Sequence, residues 1–187
     1  MTLSEIEVRT LAPQFTACVR HRIRMDEVGR IPEWIGQTMQ ALEAAGLEPA
    51  GMPYTRTFAM DADGMDVEVG WPIATEFAGS GEVVGGQLPG GRAAVGAYFG
   101  PYDGIGPAYE ALSAWCTEHG HDITGAPWES YFTDPHEEPD PSKWRTDIAF
   151  PIAGEQPGII REVDAGRGAG RPYSGAWQFF GSPSSLP

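Results

Sequence analysis

The stretch Trp128–Pro135, WESYFTDP, sets one carboxylate, Glu129, among Trp128, Tyr131 and Phe132. A carboxylate held against aromatic rings sheds hydration, so it takes up a proton or finds a cation. Strand alternation puts Glu129, Tyr131 and Thr133 on one face and Trp128, Ser130 and Phe132 on the other. A cationic ligand would supply the missing partner, and ring faces would add ~0.5–2 kcal/mol of attraction. In a second chemistry Glu129 is the general acid or base acting on water, and Tyr131 donates a hydrogen bond to the leaving oxygen. Glu129 and Tyr131 are then catalytic. The plain alternative is a Glu129 that faces solvent or bonds Arg145 on a neighbouring strand. Phe99 and Tyr102 stand at a strand-to-helix junction and are candidate ligand-binding rings. Trp71 is a further candidate, although Trp71 and Trp115 read first as core.

Other chemistries lack their residues. The four histidines, His21, His119, His121 and His136, form no HExxH or paired CxxC arrangement, so no metal site is expected. GGQLPGG and GRGAGR carry glycines without the Lys-Ser/Thr of a phosphate cradle, no GxSxG elbow occurs, and no cofactor is called for. Cys18 and Cys116 sit far apart among apolar neighbours and read as core thiols. The net charge of −14, with Lys143 the single lysine and RHRIR the one basic cluster, repels phosphate backbones and argues against direct nucleic-acid binding. No apolar run approaches the ~20 residues of a spanning helix, and the N-terminus lacks a signal peptide's regions, so a cytoplasmic protein without membrane partners is expected.

The elements that must position these groups repeat. Period-2 runs at Glu5–Leu11 and Phe15–Ile23 predict two strands, then a helix with Pro32 in its first turn, Ile31, Ile35, Thr38, Met39 and Leu42 inward, and Gly46 as its cap. Strands over Met52–Met60 and Met65–Ile73 follow. The second half restates this order, with two strands about Pro89, a helix burying Ile105, Ala108, Tyr109, Leu112 and Trp115 before Gly120, and strands PWESYFT and WRTDIAFPI. Pro13 and Pro89, Pro32 and Pro107, Gly46 and Gly120, and Pro72 and Pro151 recur at spacings of about 75 residues, the mark of duplication. DVEVGWPI against RTDIAFPI superposes Glu68 on Asp147. Two ββαββ halves predict an α+β fold, an antiparallel sheet carrying two helices, with a central pseudo-twofold cleft suited to a ligand. Residues 1–153 are expected to form this domain. Residues 154–187, rich in Gly, Pro and Ser, read as an extension that docks through Trp177, Phe179 and Phe180.

The order GAYFGPYDGIGPAYEALSAWCTEHG, PWESYFTDP, TDIAFPI resembles the GyrI-like small-molecule-binding domain, the effector-binding domain of AraC- and MerR-type regulators. The likeness covers roughly Glu5 to Ile152. It implies a duplicated α+β fold whose cleft binds cationic or aromatic drug-like compounds between acidic residues on adjacent C-terminal strands. By position Glu129 matches one such acid and Asp147 the other, with Asp where a longer Glu is usual and Ala149 where a pocket Tyr occurs. Glu68, the repeat partner of Asp147, joins the candidate set. Only a strand-like stretch precedes Phe15, so a stand-alone member is expected rather than a complete transcription factor. Stand-alone members are linked to drug sequestration, to modulation of DNA gyrase, and in some cases to hydrolysis of strained cyclopropane-containing toxins. An aromatic or cationic small molecule is the expected partner, gyrase a further one, and the oligomeric state is left open.

Overall fold

A computed structural model describes residues 2–154; Trp177, Phe179 and Phe180 of the predicted docking segment lie outside the described residues. The first half comprises β1 (Thr2–Leu3), β2 (Glu7–Leu11), β3 (Gln14–Ile23), α1 (Ile31–Ala44), β4 (Tyr54–Asp61) and β5 (Gly64–Ile73). The second comprises β6 (Val84–Leu88), β7 (Gly91–Phe99), α2 (Gly106–Glu118), β8 (Trp128–Tyr131) and β9 (Arg145–Pro151). Both helices carry Pro in the first turn and end before a left-handed glycine, Gly46 at φ 68° and Gly120 at φ 70°. Glycine takes that conformation without the clash a Cβ would cause.

All the strands join one antiparallel sheet in the order β1-β7-β9-β8-β4-β5-β3-β6, with β2 also on β7. The halves are interlocked: β2 of the first half pairs with β7 of the second, and β6 of the second pairs with β3 of the first. Two tight turns make the exchange, and they touch, since a Cβ on Gly90 would stand 2.6 Å from Pro13. Helix α1 packs on β3 and β5, and α2 packs on β7 and β9. The middle strands β4 and β8, paired through Thr55 and Glu129, are left between the two helices.

Each helix seals its own apolar core. Under α1 lie Val19, Val67, Val69 and Ile73, and under α2 lie Ala94, Tyr98, Ile148 and Phe150. The centre of the buried α1 face is Trp34, Thr38 and Leu42, with Ile31 and Ile35 at its margin. Trp34 stacks on His21 at 4.4 Å, and the Thr38 hydroxyl donates back to the Trp34 and Ile35 carbonyls. On α2, Cys116 takes the buried position expected of Trp115, which lies half-buried against His119 at 4.1 Å. A third cluster, Cys18, Tyr54, Leu88, Ala93, Val95, Trp128 and Ala149, fills the opposite face of the sheet. It joins Leu88 of β6 to Ala93 of β7, from the two ends of the strand order, so the sheet curls back upon itself. Among the described residues no helix is long and apolar enough to cross a membrane.

Candidate functional site

Register decides which side chains meet. Thr55 pairs with Glu129, and Glu129 with Ile148, so Glu129 shares the helix-bearing face with the α2 core. Directly opposed residues in an antiparallel ladder point to the same side. Tyr131, two residues on, follows Glu129 onto the floor between the helices. Thr55 and Thr57 on β4 continue that floor, both buried.

Glu129 is half-buried and held by two phenols. The Tyr109 hydroxyl on α2 donates to Oε1 at 2.7 Å, and the Tyr131 hydroxyl donates to Oε2 at 3.0 Å. Burial raises the Glu129 carboxyl above its usual range, and the two phenol donors pull it back toward ionisation. Tyr109 and Tyr131 are driven well above the ordinary phenol value, first by burial and then by the Glu129 charge, so both remain donors. Tyr102 borders the same site, edge-on to Tyr131 at 5.5 Å and tilted against Trp144 at 5.1 Å. Its hydroxyl is raised by burial, then by the charges of Asp134 and Glu129. The result is one ionisable carboxylate, lined by phenols and rimmed by rings.

The Tyr109 donor gives a pH-dependent expectation. Replacing Tyr109 by Phe removes a donor that favours the ionised carboxylate, so the Glu129 carboxyl rises further. The Glu129 carboxyl of the variant should therefore titrate at a higher pH than that of the native chain in carbon NMR titrations across about pH 4 to 8. An unchanged midpoint would mean that the Tyr109 contact does not tune the carboxylate.

The other candidates divide. Trp71 lies on the helix face, half-buried in the α1 core, with Nε1 donating to the Ile35 carbonyl at 3.0 Å. Asp147, Glu68 and Phe99 are not in the Glu129 site. Glu129 pairs with Ile148 rather than Asp147, and that one-residue difference sends Asp147 to the opposite face beside Ser130. There Arg145 grips Asp147 through Nε and Nη2 at 2.8 and 2.9 Å. Glu68, fully buried on the same opposite face, receives the Tyr54 hydroxyl at 2.7 Å and Arg20 Nε at 2.8 Å. Phe99 pairs with Arg145 and shares that face. Each of these acids already has an arginine on it. Tyr109 and Trp144 join the site unforeseen; a tyrosine in an otherwise aliphatic helix face needs a hydroxyl partner, and that was the available signal. Among the described residues no group of three or more His, Cys, Asp or Glu is placed to hold a metal ion.

A family model described as the GyrI-like small molecule binding domain matches residues 4–153. A comparison with curated proteins returned no match. Among solved structures, the EcmrR C-terminal domain is similar at 22% identity and TM-score 0.72, over 80% of this chain and 97% of that one. EcmrR in its complex with DNA is similar at 22% identity and TM-score 0.71, over 79% of this chain, which spans 57% of that longer one. SAV2435 bound to tetraphenylphosphonium matches at 12% identity and TM-score 0.57, over 80% of this chain and 94% of that one. A hydrolase from Listeria innocua matches at 14% identity and TM-score 0.54, over 80% and 92%. At these identities the structural likeness establishes the fold.

Proposed function

The chain belongs to the GyrI-like small-molecule-binding domain family, and from that premise we propose that it captures aromatic cations at Glu129, between its two helices. The observation that carries the proposal is the carboxylate itself. Glu129 has no arginine or lysine on it among the described residues; its hydrogen bonds come from the neutral phenols of Tyr109 and Tyr131. A half-buried anion without a counter-ion is complementary to a cation that brings little hydration with it. Tyr102, Tyr131 and Trp144 offer faces and edges to a flat or multi-ring ligand. SAV2435, a neighbour in fold, is seen with a lipophilic cation, tetraphenylphosphonium, which makes that ion a suitable first probe. Fluorescence titration of the full chain with a cationic rhodamine, and calorimetry with tetraphenylphosphonium, should give affinities of about micromolar order. Absence of binding by both at millimolar concentration would sink the proposal.

A second use of the same atoms is hydrolysis of a strained cyclopropane. The ionised Glu129 can take a proton from water as the water oxygen bonds to a ring carbon; the strained C–C bond breaks and its electron pair passes to a conjugated carbonyl oxygen of the substrate, to which Tyr131 can donate a hydrogen bond. Mass spectrometry separates the two: product in excess of protein means turnover, and intact ligand means capture alone.

A further inference from the structure

The face of the sheet turned away from the helices carries a second polar group. Arg20 of β3 and Arg56 of β4 both pair across strands with Glu68 of β5, so the three side chains project from the same side. Glu68 is already engaged, with Tyr54 on Oε1 and Arg20 on Oε2. Arg56 therefore has no share of it. Arg9, Arg20, Arg22, Arg24, Arg30, Lys143 and Arg145 each meet a carboxylate. Arg56 meets none among the described residues, in a chain of net charge −14. It is half-buried, its Nε is covered without an acceptor, and its one hydrogen bond among the described residues, Nη1 to the Gln87 carbonyl, is long at 3.4 Å.

A backbone irregularity brings an aromatic ring to the same place. Strand β4 shifts register between Thr57 and Ala59, leaving Phe58 as the extra residue of a bulge. Bulges re-aim side chains, and this one sets the ring 4.7 Å from the Arg56 guanidinium carbon and 5.8 Å from that of Arg20. Two guanidinium groups thus converge on one partly exposed ring with a single, committed carboxylate below them. An unneutralised, half-buried guanidinium matches a planar oxyanion through paired N–H donors, and the ring suits a flat apolar body.

We propose that Arg56, with Arg20 and Phe58, forms a binding site for an aromatic carboxylate on the face opposite Glu129, independent of the cation site. Calorimetry of the full chain at low salt, with benzoate and with inorganic phosphate, tests it. Benzoate should bind, and phosphate more weakly. Arg56→Gln should weaken benzoate at least about tenfold, Arg56→Lys should fall between, since lysine keeps the charge without the fork, and Phe58→Leu should weaken benzoate more than phosphate. Benzoate should still bind in excess rhodamine and should bind the Glu129→Gln chain as it binds the native one, which separates this site from the cleft whether or not the dye itself binds. Thermal melts confirm that each variant is folded. No binding of either anion at tens of millimolar, or an Arg56→Gln chain that is folded and binds like the native one, would overturn the site. Phosphate binding as tightly as benzoate would overturn its aromatic assignment.

Discussion

Replacing Glu129 by glutamine is expected to weaken a cationic rhodamine by at least about tenfold, or ~1.4 kcal/mol, while a neutral aromatic of similar size loses much less. Glutamine keeps the shape of the side chain; its amide oxygen can accept from one phenol and its amide N–H can donate to the oxygen of the other, so both contacts, 2.7 and 3.0 Å in the native chain, can persist. What disappears is the charge. A second readout has the opposite sign. Burial raises the Glu129 carboxyl, so the folded chain holds that proton more tightly than the unfolded one. The stability this group contributes is fully present below the unfolded carboxylate value of about 4.3 and is lost as pH rises through the folded value. At neutral pH the ionised Glu129 therefore costs stability. The glutamine chain should melt higher than the native chain at pH about 7 and converge with it near pH 4. Equal loss of charged and neutral ligands would remove the electrostatic role; a lower melting point at neutral pH would show that the carboxylate is structural.

The duplication was readable because prolines and glycines at helix starts and ends recur at a near-constant spacing, and those residues have backbone reasons to be where they are. Helix α2 and strand β8 follow their periodicities closely, and the pairing of Glu129 with Tyr131 needed only the two-residue repeat of a strand. The relation between neighbouring strands was not readable. Whether Asp147 or Ile148 lies beside Glu129 is a matter of one residue of register, and one residue reverses the face. The exchange of β2 and β6 between halves was hidden for a related reason, since each tight turn looks like the link of a local hairpin, yet β2 and β3 do not pair with each other. Thr38 and Leu42 of the predicted inward face of α1, Ile31, Ile35, Thr38, Met39 and Leu42, are buried as expected, but Trp34 is missing from that pattern, because a tryptophan able to stack on His21 joins them at the centre. Phe58 could not be placed, because a bulge breaks the alternation from which a strand residue's direction is inferred.

Arg20→Ala is expected to cost the fold about 3–5 kcal/mol, the range found when one partner of a buried ion pair is removed. The arginine itself is no core residue, its side chain being 61% exposed, so few contacts leave with it. The cost arises at Glu68, which is 0% exposed and would be left with the Tyr54 hydroxyl as its remaining bond. Beside it lie Cys18, whose thiol burial and the Glu68 charge push up to about 11, and Gly86, where an added Cβ would stand 3.6 Å from Glu68 Oε2. Two comparisons isolate this cause. Arg22→Ala removes an equally charged side chain from the same strand, but its partners Asp61 and Asp66 are exposed, and the loss should be much smaller. In the double variant Arg20→Ala/Glu68→Gln the buried group is neutral and still accepts from Tyr54, so most of the lost stability should return. Urea unfolding of the four chains supplies both comparisons. If Arg20→Ala costs no more than Arg22→Ala, Glu68 is solvated in the native protein and its arginine is an ordinary surface partner; if the double variant is as unstable as the single one, the loss lies in Arg20's own packing over Phe58 and not in the charge it neutralises.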